Sequence, residues 1–288
     1  MKPPVFEYER AQTLDEALSL LGRYGPDAKV LAGGQSLIPV MKLRLARPAA
    51  LIDINRAREM AYVRKEGGHL AFGALARLSD LETQAVRAHC PILAAAARHI
   101  GHAAIRHRGT VCGSLAHADP AAELPVLAVA LEAEMRVAGP AGWRSVSAAD
   151  FFRSYFTTAI QPGEILAEAR FPVPGPGTGW SFDELARRHG DFALVSVACL
   201  LEAGRDGRIA RARIALGSVA ERPIRASEAE ALLVGAEGGP TRFESAARAA
   251  VASLDPPTDV HGSGAYRRRL AQVLVERCVA EAWGRARS

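Results

Sequence analysis

Two short segments carry the residue types that wrap a phosphate: Val30-Leu31-Ala32-Gly33-Gly34-Gln35-Ser36 and Arg108-Gly109-Thr110-Val111-Cys112-Gly113-Ser114. In each, an apolar run stops at small residues and a hydroxyl. Glycine has no Cβ, so its backbone takes positive φ and lets N–H groups approach an anion closely. Ser36, Thr110 and Ser114 add hydroxyl donors. The pair reads as a holder of a phosphorylated cofactor.

Neither segment is one of the common nucleotide signatures. A P-loop places Lys and then Ser or Thr after its last glycine, whereas Gly34 is followed by Gln35-Ser36. The dinucleotide fingerprint needs G-x-G-x-x-G, which neither segment supplies. After the first segment, Leu37, Ile38, Met41 and Leu45 recur at helical spacing with Pro39 in the first turn. That predicts a helix through Leu45 whose positive end faces the anion.

These segments must be set by elements of a sizeable chain. Its 288 residues, 49% hydrophobic and 23% charged, suit a globular protein of two or three subdomains. No apolar run reaches membrane-span length, and the N-terminus lacks a signal-peptide layout, so a cytoplasmic enzyme or subunit is the expectation. Cys90, Cys112, Cys199 and Cys278 form no C-x-x-C pair and are expected as free, mostly buried thiols. Any redox cluster belongs on another chain. The net charge of +5 is scattered. Its densest run, Arg267-Arg268-Arg269, reads as a solvated helix face or a face for an acidic partner, not as a nucleic-acid patch, because no aromatic interleaving accompanies it.

Strands are predicted at 51–54 and 69–74, and a capping box at Ser79-Asp80-Leu81-Glu82 opens a helix through Ala88. Pro91 starts the next helix, through Ile100, and Gly101 closes it. An apolar helix through Leu131 and a strand at 135–137 follow the second segment. Ser147 caps a short helix whose Phe151, Phe152 and Phe156 are read as core. A strand spans 164–171. Pro172-Val173-Pro174-Gly175-Pro176-Gly177 is the strongest break and marks a domain boundary. Beyond it, Ala210, Ala212, Ile214 and Leu216 alternate with Arg211 and Arg213 as a strand with one wet face, and helices at 227–234, 241–252 and 264–286 complete an α+β domain.

Several residues invite sharper stories. His99, His102, His107 and His117 with Cys112 could be drawn as a metal site, but they fall on different elements without matched spacing. Cys112 beside Arg108 could be a lowered-pKa thiol, although a small filler is the simpler role. His189 and Asp191 could form an acid/base pair, against a plain turn anchored at Gly190.

With these pieces in order, the chain resembles the FAD-binding medium subunits of the molybdenum hydroxylases, the family of carbon monoxide dehydrogenase, quinoline oxidoreductase and the flavin domain of xanthine dehydrogenase. The likeness rests on Ala32-Gly33-Gly34-Gln35-Ser36, on Arg108 to Ser114, on Ala118-Asp119-Pro120 followed by Glu123, on Arg187-Arg188-His189-Gly190-Asp191-Phe192-Ala193-Leu194, and on His261-Gly262-Ser263. It implies an α+β protein: a two-subdomain FAD-binding region of the PCMH type, residues 1–57 and 58–174, then an α+β C-terminal domain over 178–288.

The resemblance also implies that the two glycine segments clasp the FAD diphosphate and that the segment around Gly190 lies against the isoalloxazine ring. The cofactor contacts it assigns are Ala32, Gly33, Gly34, Gln35, Ser36 and Leu37; Thr110, Val111, Cys112, Gly113 and Ser114; Glu123 and Leu166; and His189, Gly190 and Asp191. It assigns no catalytic residue and no metal ligand to this chain. One departure stands out: the family usually has a glycine pair where this chain has Cys112-Gly113, so Cys112 is expected at a permissive angle or in a shifted loop. In such assemblies a small subunit carries [2Fe–2S] clusters and a large one the molybdopterin, as a dimer of heterotrimers, and FAD passes electrons to an acceptor. The implied substrate is an N-heteroaromatic compound or CO. A stand-alone FAD oxidoreductase and a noncatalytic nucleotide-binding module are the alternatives.

Overall fold

The computed structural model describes Lys2–Ser288. Three main sheets follow one another along the chain, with a two-stranded ribbon, Phe152–Ser154 paired with Thr157–Thr158, as a fourth. The first is parallel: the strand Ala50–Asp53 lies between Glu7–Arg10 and Ala28–Leu31. The second has five antiparallel strands in the order Val63–Glu66, His69–Gly73, Ile165–Pro172, Glu134–Gly139, Gly142–Ser147. Its central strand comes last in sequence, so the helices between residues 84 and 130 are inserted before the sheet is complete. The third sheet runs in sequence order through Thr178–Ala186, Ala193–Ala203, Ile209–Gly217 and Ile224–Arg225.

The strand Ala193–Ala203 is buried continuously from Ala193 to Leu201 because both its faces are covered. With side chains alternating, Val195, Val197, Cys199 and Leu201 join the core under the helices Ser227–Leu233, Pro240–Val251 and Gly264–Ala286. Ala198 and Leu200 face the other way and join the core of the first two sheets. Between them lies the helix Glu123–Ala130, buried all round as its uniformly apolar sequence requires.

Several sequence expectations are corrected. The helix after the first glycine segment stops at Lys42, since Arg44 turns to φ 59°, and Leu45 is left exposed; a helix at Leu14–Tyr24, capped by Thr13, precedes it. The Asp80 carboxylate accepts from the Arg77 N–H, which winds Leu78–Glu82 into a 3₁₀ turn; Thr83, not Ser79, caps the helix Gln84–His89. Phe151 and Phe152 are core, but Phe156 is exposed at φ 52°. The strand Ile209–Gly217 has no continuous wet face: Arg213 is buried between Glu132 and Glu202. Of the three arginines, Arg268 and Arg269 are exposed, as a solvated face requires, but Arg267 is not. Arg267 is buried and donates to the carbonyls of Leu194 and Ser218 and to Asp259, and Arg268 donates to Leu254 O, which anchors the last helix. The four cysteines are free and buried, as expected.

Candidate cofactor site

The first motif is a loop in the strict sense. It leaves the strand Ala28–Leu31, turns at Gly34 with φ +72°, and enters the helix Leu37–Lys42. The Ile38 N–H closes the turn on the Gly34 carbonyl at 3.1 Å. None of the backbone N–H groups from Gly33 to Leu37 donates to an acceptor among the described residues. Five consecutive free donors around a positive-φ residue form a concave anion nest. A helix of 6 residues contributes little dipole, so the nest carries the attraction rather than the helix end that the sequence suggested. Gly33 is dictated by space: a Cβ there would run into the Arg108 carbonyl and sit 2.7 Å from Gly109 Cα.

The second motif is not a loop at all. Thr110 caps the helix Val111–His117, its Oγ1 accepting from the Gly113 N–H at 3.1 Å. The Val111 N–H donates to Ala76 O, and that of Ser114 to Thr110 O. Only the N–H groups of Thr110 and Cys112 are left without an acceptor among the described residues of this stretch. Gly113 has helical backbone, and a Cβ on it would press on Thr110 Oγ1. Cys112 sits at a permissive, helical angle, the first of the two expected alternatives, and is buried, with Sγ 3.4 Å from Phe72 O. Burial pushes its thiol well above the ordinary range, which removes the reactive-cysteine reading.

Both motifs open onto one cleft of about 1030 Å³. That is at the upper end for small-molecule sites, which span roughly 300–1,000 Å³. Every assigned contact residue lines it except Val111, whose side chain is turned into the core, and His189, whose ring stands off beside His102 at 6.2 Å. Gly190 needs its φ of +84° and its bare Cα, since a Cβ would meet the His102 ring at 2.7 Å. Asp191 donates its N–H to Arg188 O in that turn and makes no hydrogen bond with His189 among the described residues.

The cleft also takes in residues that sequence reasoning did not assign: His117, Asp119, Phe156 and Phe192. The exposed Phe192 follows Gly190-Asp191, and an aromatic beside a glycine turn was a usable signal. Phe156 had none, because its N–H is placed by the Ala118 carbonyl from a distant element, and its ring packs 5.1 Å from that of His117. No cluster of three or more potential metal ligands occurs among the described residues.

The comparisons with known proteins decide the lineage. Residues 4–174 match the family model described as the FAD binding domain in molybdopterin dehydrogenase, and residues 180–282 that of the CO dehydrogenase flavoprotein C-terminal domain. The chain is 43% identical over 288 residues to the 6-hydroxypseudooxynicotine dehydrogenase complex subunit alpha of Paenarthrobacter nicotinovorans, covering 100% of this chain and 97% of that one. Its structure superposes on a chain of carbon monoxide dehydrogenase from Hydrogenophaga pseudoflava with a TM-score of 0.96 at 40% identity, over 99% of each chain. On a chain of quinoline 2-oxidoreductase from Pseudomonas putida 86 the TM-score is 0.95 at 40% identity, over 100% of both. The chain belongs to the FAD-binding medium subunits of the molybdenum hydroxylases.

FAD is thus the cofactor of this medium subunit, and the cleft suits it, being lined both by the free N–H groups of the first motif and by apolar side chains, Leu166 and Phe192 among them. The electrostatics of the two walls differ. Glu123 is buried at the start of its helix, and burial together with the nearby Glu184 carboxylate raises its carboxyl to about 8. It is therefore largely protonated at neutral pH and can donate a hydrogen bond. Glu184 is held by His99 Nδ1 at 3.4 Å across the boundary between the second and third sheets, and this contact raises the imidazole. Burial lowers His117.

Among the described residues no helix is long and apolar enough to cross a membrane.

Proposed function

We propose that this medium subunit is the electron-transfer arm of a heteromeric molybdenum hydroxylase in the cytoplasm, assembled with a small iron–sulfur subunit and a large molybdopterin subunit as a dimer of heterotrimers. Residues 1–57 and 58–174 would be the two lobes that hold the cofactor, with 178–288 covering its ring end. When bound, FAD supplies the redox chemistry, taking electrons from the partner's [2Fe–2S] clusters and passing them to an external acceptor. The chain's own part is to bind and orient. The nest from Gly33 to Leu37 receives the diphosphate, the Cys112 N–H and the hydroxyls of Ser36 and Ser114 complete its shell, and Glu123 donates its proton to a polar atom of the cofactor. The Gly190-Asp191 turn forms the wall at the ring end.

One observation carries the reading: a single cleft joins both phosphate-type motifs, the free N–H groups of the first and the helix start of the second. A subunit that only relays electrons needs a held cofactor, not a substrate pocket. A 6-hydroxypseudooxynicotine dehydrogenase subunit at 43% identity, against 40% for the carbon monoxide dehydrogenase chain, favours an N-heteroaromatic substrate for the complex over CO. The test is a visible spectrum of the purified chain and complex, acid release of the chromophore, and anaerobic addition of quinoline. Release of FAD, with bleaching of the flavin only when both partner subunits are present, is expected. Bleaching of the chain alone would make it a stand-alone oxidoreductase, and a colourless complex would leave a nucleotide-binding module.

A further inference from the structure

Where the two motifs meet, they are tied by two side chains that do not line the cleft. Asn55 Nδ2 donates to the Ala32 carbonyl at 2.8 Å and to Asp53 Oδ1 at 2.6 Å. Arg77 Nη2 donates to Asn55 Oδ1 at 2.8 Å, and Arg77 Nη1 to the Arg108 carbonyl at 2.6 Å. That Arg108 carbonyl is the atom packed against Gly33. A continuous relay thus runs from Ala32 through Asn55 and Arg77 to Arg108, from one motif to the other.

We infer that Asn55 and Arg77 are positioning residues that set the spacing and peptide orientation of the two motifs for the cofactor diphosphate. The inference rests on the FAD reading above. In a trans peptide the C=O and N–H point in opposite directions, so pinning the Ala32 carbonyl on Asn55 turns the Gly33 N–H to the other side, into the row of free donors. Arg77 pins the Arg108 carbonyl and fixes Asn55; the Gly109 N–H of that peptide is already taken by Ile105 O, so at the second motif Arg77 sets spacing rather than a free donor. Only a planar guanidinium fork reaches both acceptors at once; an ammonium on a flexible stem serves one or moves between them. The Arg77 main chain is itself fixed, its N–H on Asp80 Oδ2 at 2.8 Å and the adjacent Leu78 N–H on Gly109 O at 2.9 Å. Motifs held in register before binding do not have to be ordered by the ligand, and that saving appears as affinity.

The test is FAD titration of the full chain by fluorescence quenching, beside melting of the FAD-free chain, for Arg77→Met, Asn55→Ala, the double variant and Arg77→Lys. Arg77→Met is expected to weaken FAD about ten- to hundredfold, the range for a lost charged hydrogen bond, and Asn55→Ala about tenfold. Because the two form one relay, the double variant should be no weaker than Arg77→Met within about threefold, and Arg77→Lys should fall between wild type and Arg77→Met. If the variants melt lower yet bind FAD like the wild type, or their losses simply multiply, the inference is overturned and the pair is structural. A wild type that takes up no FAD overturns the FAD reading itself and the relay with it.

Discussion

The two glycine motifs look alike on paper and work by opposite means. Ala32 to Ser36 is a wall made chiefly of backbone: beside the Ser36 hydroxyl, a run of unpaired N–H groups lines the cleft. Arg108 to Ser114 is a helix start whose donors are mostly consumed internally, by Thr110 Oγ1, Ala76 O and Thr110 O. Its side of the cleft offers side chains instead, Ser114 and the protonated Glu123. Glycine accordingly means different things in the two. Gly34 supplies an angle, Gly33 a close approach to the other motif, and Gly113 only room for a cap.

The contrast breaks most visibly at Gly33. Gly33→Val sets a side chain against the Arg108 carbonyl and Gly109 Cα, which are backbone and cannot rotate away. Overpacking of this kind costs up to about 3 kcal/mol of stability and is relieved only by moving the two motifs apart, so the purified variant should carry almost no FAD. Gly113→Ala is the matched control. It sits in a helix and meets only the Thr110 hydroxyl, so flavin content measured by acid release should fall far less. Equal losses at both positions would erase the distinction between the walls.

The side-chain wall should betray itself in pH dependence. Burial raises Glu123 from 4.5 to about 8, so the folded chain binds a proton there that the unfolded chain has already released. Its contribution is fully present below pH 4.5 and is lost as pH rises through about 8, by at most about 5 kcal/mol. Glu123→Gln should remove that slope, giving a melting temperature that falls less between pH 5 and 8 than the wild type's. His99, raised by Glu184, slopes the same way above pH 6.5, and His117, lowered by burial, slopes the opposite way below it. Both remain in the variant, so the difference curve reads Glu123 chiefly. Parallel curves would mean that the carboxyl is charged in the fold.

What was legible in the sequence follows the same division. Strands set by short-range pattern and helices set by local caps, such as Gly264–Ala286 behind Ser263, lay where periodicity and cap chemistry put them. The positions of Gly33, Gly34 and the Gly190 turn at the cleft were legible as residue types. What was not legible depends on partners far along the chain. Phe156 looked like core because nothing local shows that the Ala118 carbonyl holds it at positive φ on the rim. Arg213 and Arg267 looked solvent-facing because their acceptors come from strands and loops remote in sequence. Glu123 was placed by family likeness, but its raised carboxyl comes from burial and from Glu184, 61 positions later on the third sheet.

A smaller effect sharpens the reading of the second motif as a helix start. Thr110→Ala removes the cap from the Gly113 N–H, at a cost of about 1 kcal/mol, or about 2 °C in melting temperature for a chain of this size. Thr110→Ser keeps the oxygen and should restore most of it. If the threonine hydroxyl instead served the cofactor directly, the alanine variant would lose FAD without melting lower, and melting curves with and without added FAD separate the two.

The smallest effect belongs to Cys112, the one residue that sets this motif apart from a glycine pair. In a loop at positive φ a cysteine would be strained and partly open; in the helix Val111–His117 it is neither, and its thiol is buried and raised. Cys112→Ala should therefore cost no more than about 1 kcal/mol, the scale of a lost buried sulfur and a weak S–H bond to Phe72 O, and leave FAD content unchanged. A thiol reagent should label Cys112 in the native chain no faster than the equally buried Cys90, Cys199 and Cys278, and all four only on unfolding. Rapid native labelling of Cys112 that FAD suppresses would place its sulfur on the cofactor side of the helix and add a third side chain to the second wall.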